Sequence, residues 1–311
     1  MHWRIKGVVQ KALGIVPGGT HLNDLLQKTL GELREVERTI DSKVVDDWVV
    51  LAGQLRELDV PLSGAELLEI GTGWMPVFPL CFALAGARAC HTFDLQRHLS
   101  ESLTTRAVAR LAVHLSRIAQ VTGNSVSDVE RRYREIRLET TLEGILRRAG
   151  IRYYAPADAS KTTLPDHSVD VVFSNSVLEH VPPEAIRGIF REARRVLRPT
   201  GLAIHSANCG DHYAYFDRSI TFINYLQYSE REWRFWNNAM LYQNRLRPGD
   251  FLELARDAGF EILLSRWRPK EGLLAALPSL QIAPEFKAYP PEQLCATSVD
   301  FAARPSQKAG L

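Results

Sequence analysis

An apolar run that stops at a glycine turn, Glu66-Leu-Leu-Glu-Ile-Gly-Thr-Gly-Trp-Met-Pro76, constrains this chain more than any other feature. A short run of this kind reads as a buried strand of a parallel sheet, and such sheets carry helices on both faces. Gly71 and Gly73 let backbone approach a ligand where a Cβ would clash. Twenty-one residues beyond Gly73, a second short strand, Ala89-Cys-His-Thr-Phe93, ends in an acid, Asp94. A carboxylate at the tip of the next strand can accept both hydrogens of a ribose diol, so the pair predicts a nucleoside site on a Rossmann-like sheet. A dinucleotide fingerprint would read G-x-G-x-x-G, and Pro76 occupies its last place. The chain instead places Glu69 two residues before the first glycine. An acid there suits a cofactor with an ammonium group better than one with two phosphates.

Further motifs follow in order: the Ala157-Asp158-Ala159 step, VDVVFSNSVLEHV (169–181) and RVLRPTGLAIHS (195–206). With ELLEIGTG and Asp94 they resemble the class I S-adenosylmethionine-dependent methyltransferases over roughly residues 64–207. The resemblance implies an α/β fold, a seven-stranded, mostly parallel Rossmann-like sheet with an antiparallel last strand, and S-adenosylmethionine as cofactor. It implies that Glu69, Gly71, Thr72 and Gly73 line the methionine end and that Asp94 holds the ribose. Asp158, with Ala159, would meet the adenine amino group, and Ser174 and Asn175 would lie beneath the sulfonium. Trp74-Met75-Pro76 departs from the small third residue common in that family.

A chain of 311 residues accommodates one large α/β domain with insertions or two small domains. Its net charge of +2 lacks the basic bias of non-specific nucleic-acid binding, so no nucleic-acid partner is expected. The four cysteines, 81, 90, 209 and 295, form no zinc spacing and read as buried thiols in a reducing compartment. No transmembrane run is present, and Gln10, Lys11 and Gly14 interrupt any secretory core, which leaves the cytoplasm as the expected location.

Residues 1–60 read as a helical cap, with Leu22, Leu25, Leu26, Leu30 and Leu33 at helical spacing and Trp48, Val49 and Leu55 in a second helix. The first seventeen residues, cut off by Gly18-Gly19, read as a disordered or docked terminus or as a short basic foot making peripheral membrane contact. The methyltransferase domain is expected over 61–303, with a flexible tail at 304–311. A helical insertion spans 95–150: one apolar stripe runs through Leu103, Ala107, Leu111, Leu115 and Ile118, and a second helix starts at Ser127 as N-cap and closes at Gly150. Ten arginines against six acids there suit either an acidic acceptor or a solvated face with ion pairs. Later strands are expected at Phe260–Leu264 and, as an alternating edge strand, Leu294–Ala302.

The acceptor side is assigned to 208–259. Between 213 and 242 it holds ten of the chain's 27 aromatic residues, which could wall a pocket or form the core of the insertion. At its root, Asp211, His212 and Asp217 follow a parallel strand, where open α/β sheets place ligands. Asp211-His212 reads equally as a general base or a turn cap, and His180 is a second base candidate. Those residues offer too few regular ligands for a metal to be expected. The later stretches also resemble methyltransferases of polysaccharide and cell-surface glycan biosynthesis, which implies a small-molecule or sugar-containing hydroxyl acceptor. An N-methyltransferase of a small metabolite and an inactive cofactor-binding scaffold are the alternatives. A nicotinamide oxidoreductase is disfavoured by Pro76.

Overall fold

The computed structural model of the protein describes residues 2–15, 35–238 and 242–306. Seven strands form one sheet: β1 Glu66–Ile70, β2 Ala89–Phe93, β3 Ile151–Tyr154, β4 Val169–Asn175, β5 Leu197–Asn208, β6 Phe260–Arg266 and β7 Ser298–Pro305. Their order is β3-β2-β1-β4-β5-β7-β6. β1 to β5 pair in parallel, and β7 runs antiparallel between β5 and β6. This is the Rossmann-like methyltransferase sheet expected from the sequence. β1 and β4 carry continuous buried runs because both faces are covered, one by helices such as Val77–Leu84 and the other by Pro183–Val196. The chain reverses direction of winding between β1 and β4, so the C-terminal ends of β1, β2 and β4 open at a topological switch point.

Three expectations need correction. The last strand begins at Ser298, four residues later than the alternation suggested, and lies inside the sheet; β6 is the edge. Pro291–Cys295 forms a short helix instead, because proline suits a first helical turn and Leu294 and Cys295 are drawn into an apolar cluster. The N-cap of the second insertion helix is Ser125, whose hydroxyl accepts from the Asp128 N–H, and not Ser127. That helix is also two helices, Val126–Arg137 and Leu142–Arg148, because Thr141 caps a new start. Arginines of the insertion are used locally: Arg110 pairs with Asp41 of the cap at 2.7 Å, Arg131 with Asp128 and Glu135, Arg148 with Glu139.

The cap itself is Val36–Ser42, a π-helical turn Lys43–Trp48 and Val49–Glu57, with Trp48 and Leu55 fully buried against the sheet. The leucines at 22–33 lie outside the described residues. The helix Trp3–Ile15 docks on the aromatic insertion and not on the sheet. No helix among the described residues is long and apolar enough to cross a membrane.

Candidate functional site

The strand ends bring the first group of expected residues together. Gly71 and Gly73 have φ of +80° and +70°, a region that favours glycine. Their reasons differ. A Cβ on Gly71 would lie 2.5 Å from Val177 Cγ2, so Gly71 lets the loop after β4 pack against the loop after β1, whereas a Cβ on Gly73 would meet nothing within 4 Å. Gly73 N–H donates to Asp94 Oδ2 at 3.2 Å, and Tyr153 Oη donates to the same oxygen at 3.0 Å. Asp94 Oδ1 has the longer Gly73 contact of 3.4 Å, and the Thr72 N–H also approaches the carboxylate. Burial raises the Asp94 pKa, and the Tyr153 hydrogen bond works against it. Ala157 N–H donates to the Asp94 carbonyl at 2.8 Å, which ties the Asp158 loop to the tip of β2. Asp158 is exposed and accepts from Ser160 N–H, and Ala159 is buried beside it.

Glu69 is 2% exposed, and the hydroxyls of Thr72 and Thr92 both donate to its Oε2 at 2.7 Å. Burial pushes its pKa up to about 7 against those two hydrogen bonds. Ser174 is fully buried, and its Oγ pairs with His205 Nδ1 at 2.7 Å, so its side chain belongs to the packed interior and not to an open wall. Asn175 is half-buried and donates to Asp47 Oδ2 at 3.3 Å. Asp47 comes from the cap, and burial raises its pKa. Sequence reasoning named neither Tyr153 nor Asp47. Tyr153 falls in none of the motifs, and no spacing rule links residue 47 to residue 175.

The acceptor-side residues separate into two groups. Asp211 is fully buried: Oδ1 accepts from Tyr213 N–H and Oδ2 from Asn224 Nδ2, both at 2.9 Å. It caps the 3₁₀ turn His212–Tyr215, and burial pushes it up to about 6. Asp217 is occupied too, accepting from Ser219 N–H and Oγ and from Trp3 N–H, bonds that hold it down to about 2. Both carboxylates are structural.

His180 and His212 face each other, with ring centroids 4.9 Å apart, at the exits of β4 and β5. His180 is enclosed on most sides yet exposed at one edge, and its Nδ1 donates to the Tyr242 carbonyl at 2.8 Å. His212 is held at about 3 by burial and by the neighbouring His180. An imidazole that low is neutral at pH 7 and takes up a proton reluctantly, which makes it a weak general base. Next to it stands Glu179, which the sequence reading passed over between Leu178 and His180. Glu179 is 1% exposed, and burial pushes its pKa up to about 8.

Six of the ten aromatic residues build a core: Tyr213, Tyr225 and Trp233 are at most 2% exposed, and Phe222, Tyr228 and Trp236 pack against them. Trp3 of the first helix lies against Tyr213, Tyr228 and Trp236. Tyr215 and Phe216 are more than half exposed, and Tyr215 lies 5.7 Å from His212 between ring centroids. Phe235 is equally exposed, but the Lys6 and Lys11 ammonium groups lie over the Phe216 and Phe235 rings, which leaves Tyr215 as wall at the mouth.

Residues 102–205 match the family model described as "Methyltransferase domain", about a third of the chain. No curated protein matches. Among solved structures, an S-adenosylmethionine-dependent methyltransferase from Mesorhizobium loti is 17% identical, covering 81% of this chain and 95% of that one, with a TM-score of 0.40. The [4+2]-cyclase SpnF is 17% identical, with 82% and 81% covered and a TM-score of 0.42. A geranyl diphosphate methyltransferase solved with S-adenosylmethionine is 14% identical, with 86% and 89% covered and a TM-score of 0.46. Likenesses this distant carry nothing about chemistry. Over 102–205 the chain is thus similar to a methyltransferase domain, carried on a sheet of this order.

Proposed function

We propose that the chain moves the methyl group of S-adenosylmethionine onto a hydroxyl of a small, sugar-containing acceptor. In this reading Gly73, Asp94 and the Asp158–Ala159 loop hold the nucleoside, and Glu69 and Thr72 serve the methionine end. The acceptor enters at the mouth between β4 and β5. The observation that carries the hydroxyl preference is the facing pair His180–His212, with the exposed Tyr215 ring beside it. A hydroxyl needs its proton managed before it attacks, so polar groups at the reacting position are useful to it. A neutral amine already has its lone pair. The exposed Tyr215 ring offers a flat apolar face with a polar edge, which suits a sugar ring. Catalysis here is largely a matter of holding acceptor oxygen and methyl carbon at near-attack distance.

The test is transfer of labelled methyl from S-adenosylmethionine to panels of hydroxylated glycosides and of amines. The product expected is an alkali-stable methyl ether on a glycoside. Transfer confined to the amine panel would overturn the hydroxyl reading, and cofactor binding without transfer to either would favour a scaffold.

A further inference from the structure

We propose that Glu179, His180 and His212 form a divalent-cation site at the mouth between β4 and β5, suited to a first-row ion such as Mn²⁺, Co²⁺ or Zn²⁺. The candidate ligand atoms of the three side chains lie within 4.8 Å of one another, and they are the one such group among the described residues. An ion about 2.1 Å from each ligand needs them roughly 3–4 Å apart, so drawing the most distant pair together by about 1–2 Å, shared between two side chains, closes the set. Two imidazoles and a carboxylate with open positions form a common set for these ions.

Three independent features of the site suit a cation. Glu179 is buried, and neither carboxylate oxygen has a hydrogen-bond partner; the N–H groups of Glu179 and Asn208 approach it without making a well-formed bond. Burying an unpaired carboxylate is costly, and native interiors rarely do so without a reason. His212 Nε2 is likewise buried and without a partner. His180 has the complementary arrangement. Its Nδ1 faces a carbonyl, which only accepts, so the proton is on Nδ1 and Nε2 keeps its lone pair. Fixing the tautomer through the second nitrogen is how proteins orient ligating histidines. The exposed edge of His180 gives the ion a way in and leaves coordination positions facing the mouth.

Binding of the ion stands on this geometry alone, and its role rests on the methyltransferase reading. An acceptor hydroxyl bound to the ion ionises more readily than in water. Its proton passes to solvent, its oxygen bonds to the methyl carbon, and the carbon–sulfur bond breaks with its electron pair left on sulfur. The products are a methyl ether, S-adenosylhomocysteine and a proton. Val177 connects the two halves of the site, because it packs on Gly71 and accepts the first hydrogen bond of the turn that carries His180.

The test uses the full chain, stripped with chelator and titrated with Co²⁺ by visible absorption, with S-adenosylmethionine binding measured by calorimetry on the same sample. One equivalent of Co²⁺ is expected, with ligand-field bands of nitrogen–oxygen coordination. Glu179→Gln and His212→Ala should each weaken Co²⁺ binding at least tenfold while cofactor affinity stays within about twofold. Should either variant fail to fold, His180→Ala at the exposed edge makes the same comparison. Wild-type protein that binds cofactor but no Co²⁺, or folded variants that bind Co²⁺ like wild type, would overturn the site. Co²⁺ bound by a protein that ignores S-adenosylmethionine would uphold the site and remove the methyltransferase role assigned to it.

Discussion

At the scale of single residues, the site is governed by carboxylates in different surroundings. Asp94 and Asp211 lie just beyond strands, Glu69 near the end of β1 and Asp217 farther into the insertion. Asp211 and Asp217 are committed to local hydrogen bonds, and the proposed function gives Asp94 and Glu69 to the cofactor. Glu69 makes the distinction measurable. Burial holds its pKa at about 7 in the free protein, so at pH 6.5 roughly three-quarters of the molecules carry a proton there. An ammonium placed beside the carboxylate favours the ionised form and lowers that pKa. The sign follows: the bound state holds fewer protons, so binding S-adenosylmethionine should release a proton near pH 6.5. Affinity should therefore rise with pH from about 5.5 to about 7.5 and then level off. Calorimetry at pH 6.5 in two buffers of different ionisation enthalpy reads the release directly, since the cofactor amine, with a pKa near about 8, is already charged. Identical heats in both buffers would place the ammonium away from Glu69. Glu69→Gln should abolish the difference.

At the scale of elements, the first helix belongs energetically to the acceptor insertion. Trp3 is 2% exposed, with its ring 4.9 Å from Trp236 and 5.3 Å from Tyr213, and its N–H is held by Asp217 at 2.9 Å. Gly7 allows this approach, because a Cβ there would lie 3.1 Å from Tyr213 Oη. Trp3→Ala leaves a hole in a small cluster and should cost about 3–5 kcal/mol of its docking energy. Hydrogen exchange should then speed up over Trp3–Ile15 and over the 213–236 segment while β1 to β5 keep their protection. Unchanged exchange in the insertion would mean that the helix is an ornament on it. The sequence left the first seventeen residues as a disordered or docked terminus or a membrane foot, and the surface on which Trp3–Ile15 docks was not legible. Periodicity reports that a face is apolar and is silent about its partner.

At the scale of the whole molecule, one guanidinium ties the sheet to the insertion. Arg247 is fully buried, donating to the Cys209 carbonyl at 2.6 Å and to Tyr225 Oη, with longer bonds of 3.4 Å to the Leu294 and Ala296 carbonyls. It therefore joins the exit of β5, the aromatic cluster and the run into β7. Arg247→Ala strands those acceptors without a donor and should destabilise the fold by about 3 kcal/mol or more. Arg247→Lys should recover only part of this, since an ammonium cannot reach several carbonyls in one plane as the guanidinium fork does. Thermal unfolding of both variants checks the claim, and an Arg247→Ala protein melting with wild type would refute it.

The residues by themselves determined the sheet and its switch point. ELLEI, the run 169–175 and the glycines at 71 and 73 act through local conformation and continuous burial, and both are readable along one strand. They also placed Asp94, because the interval from β1 to β2 is set by one crossover helix; Asp158 was legible from its own Ala157-Asp158-Ala159 step, beyond the helical insertion. Only the tertiary structure decided which polar groups are spent and which are free. Asp211 and His212 are adjacent in the chain, and the strand exit turns one into the core and the other toward His180. Glu179 and His212 are brought together by the pairing of β4 with β5, Asp47 and Asn175 by the seating of the cap. The last strand was misplaced for the same reason: Leu294 and Cys295 obey the buried cluster around Trp3 and Tyr225, not the alternation of their own segment. Contacts between residues far apart in sequence are set by burial and hydrogen-bond satisfaction across the whole fold, and no local pattern encodes them.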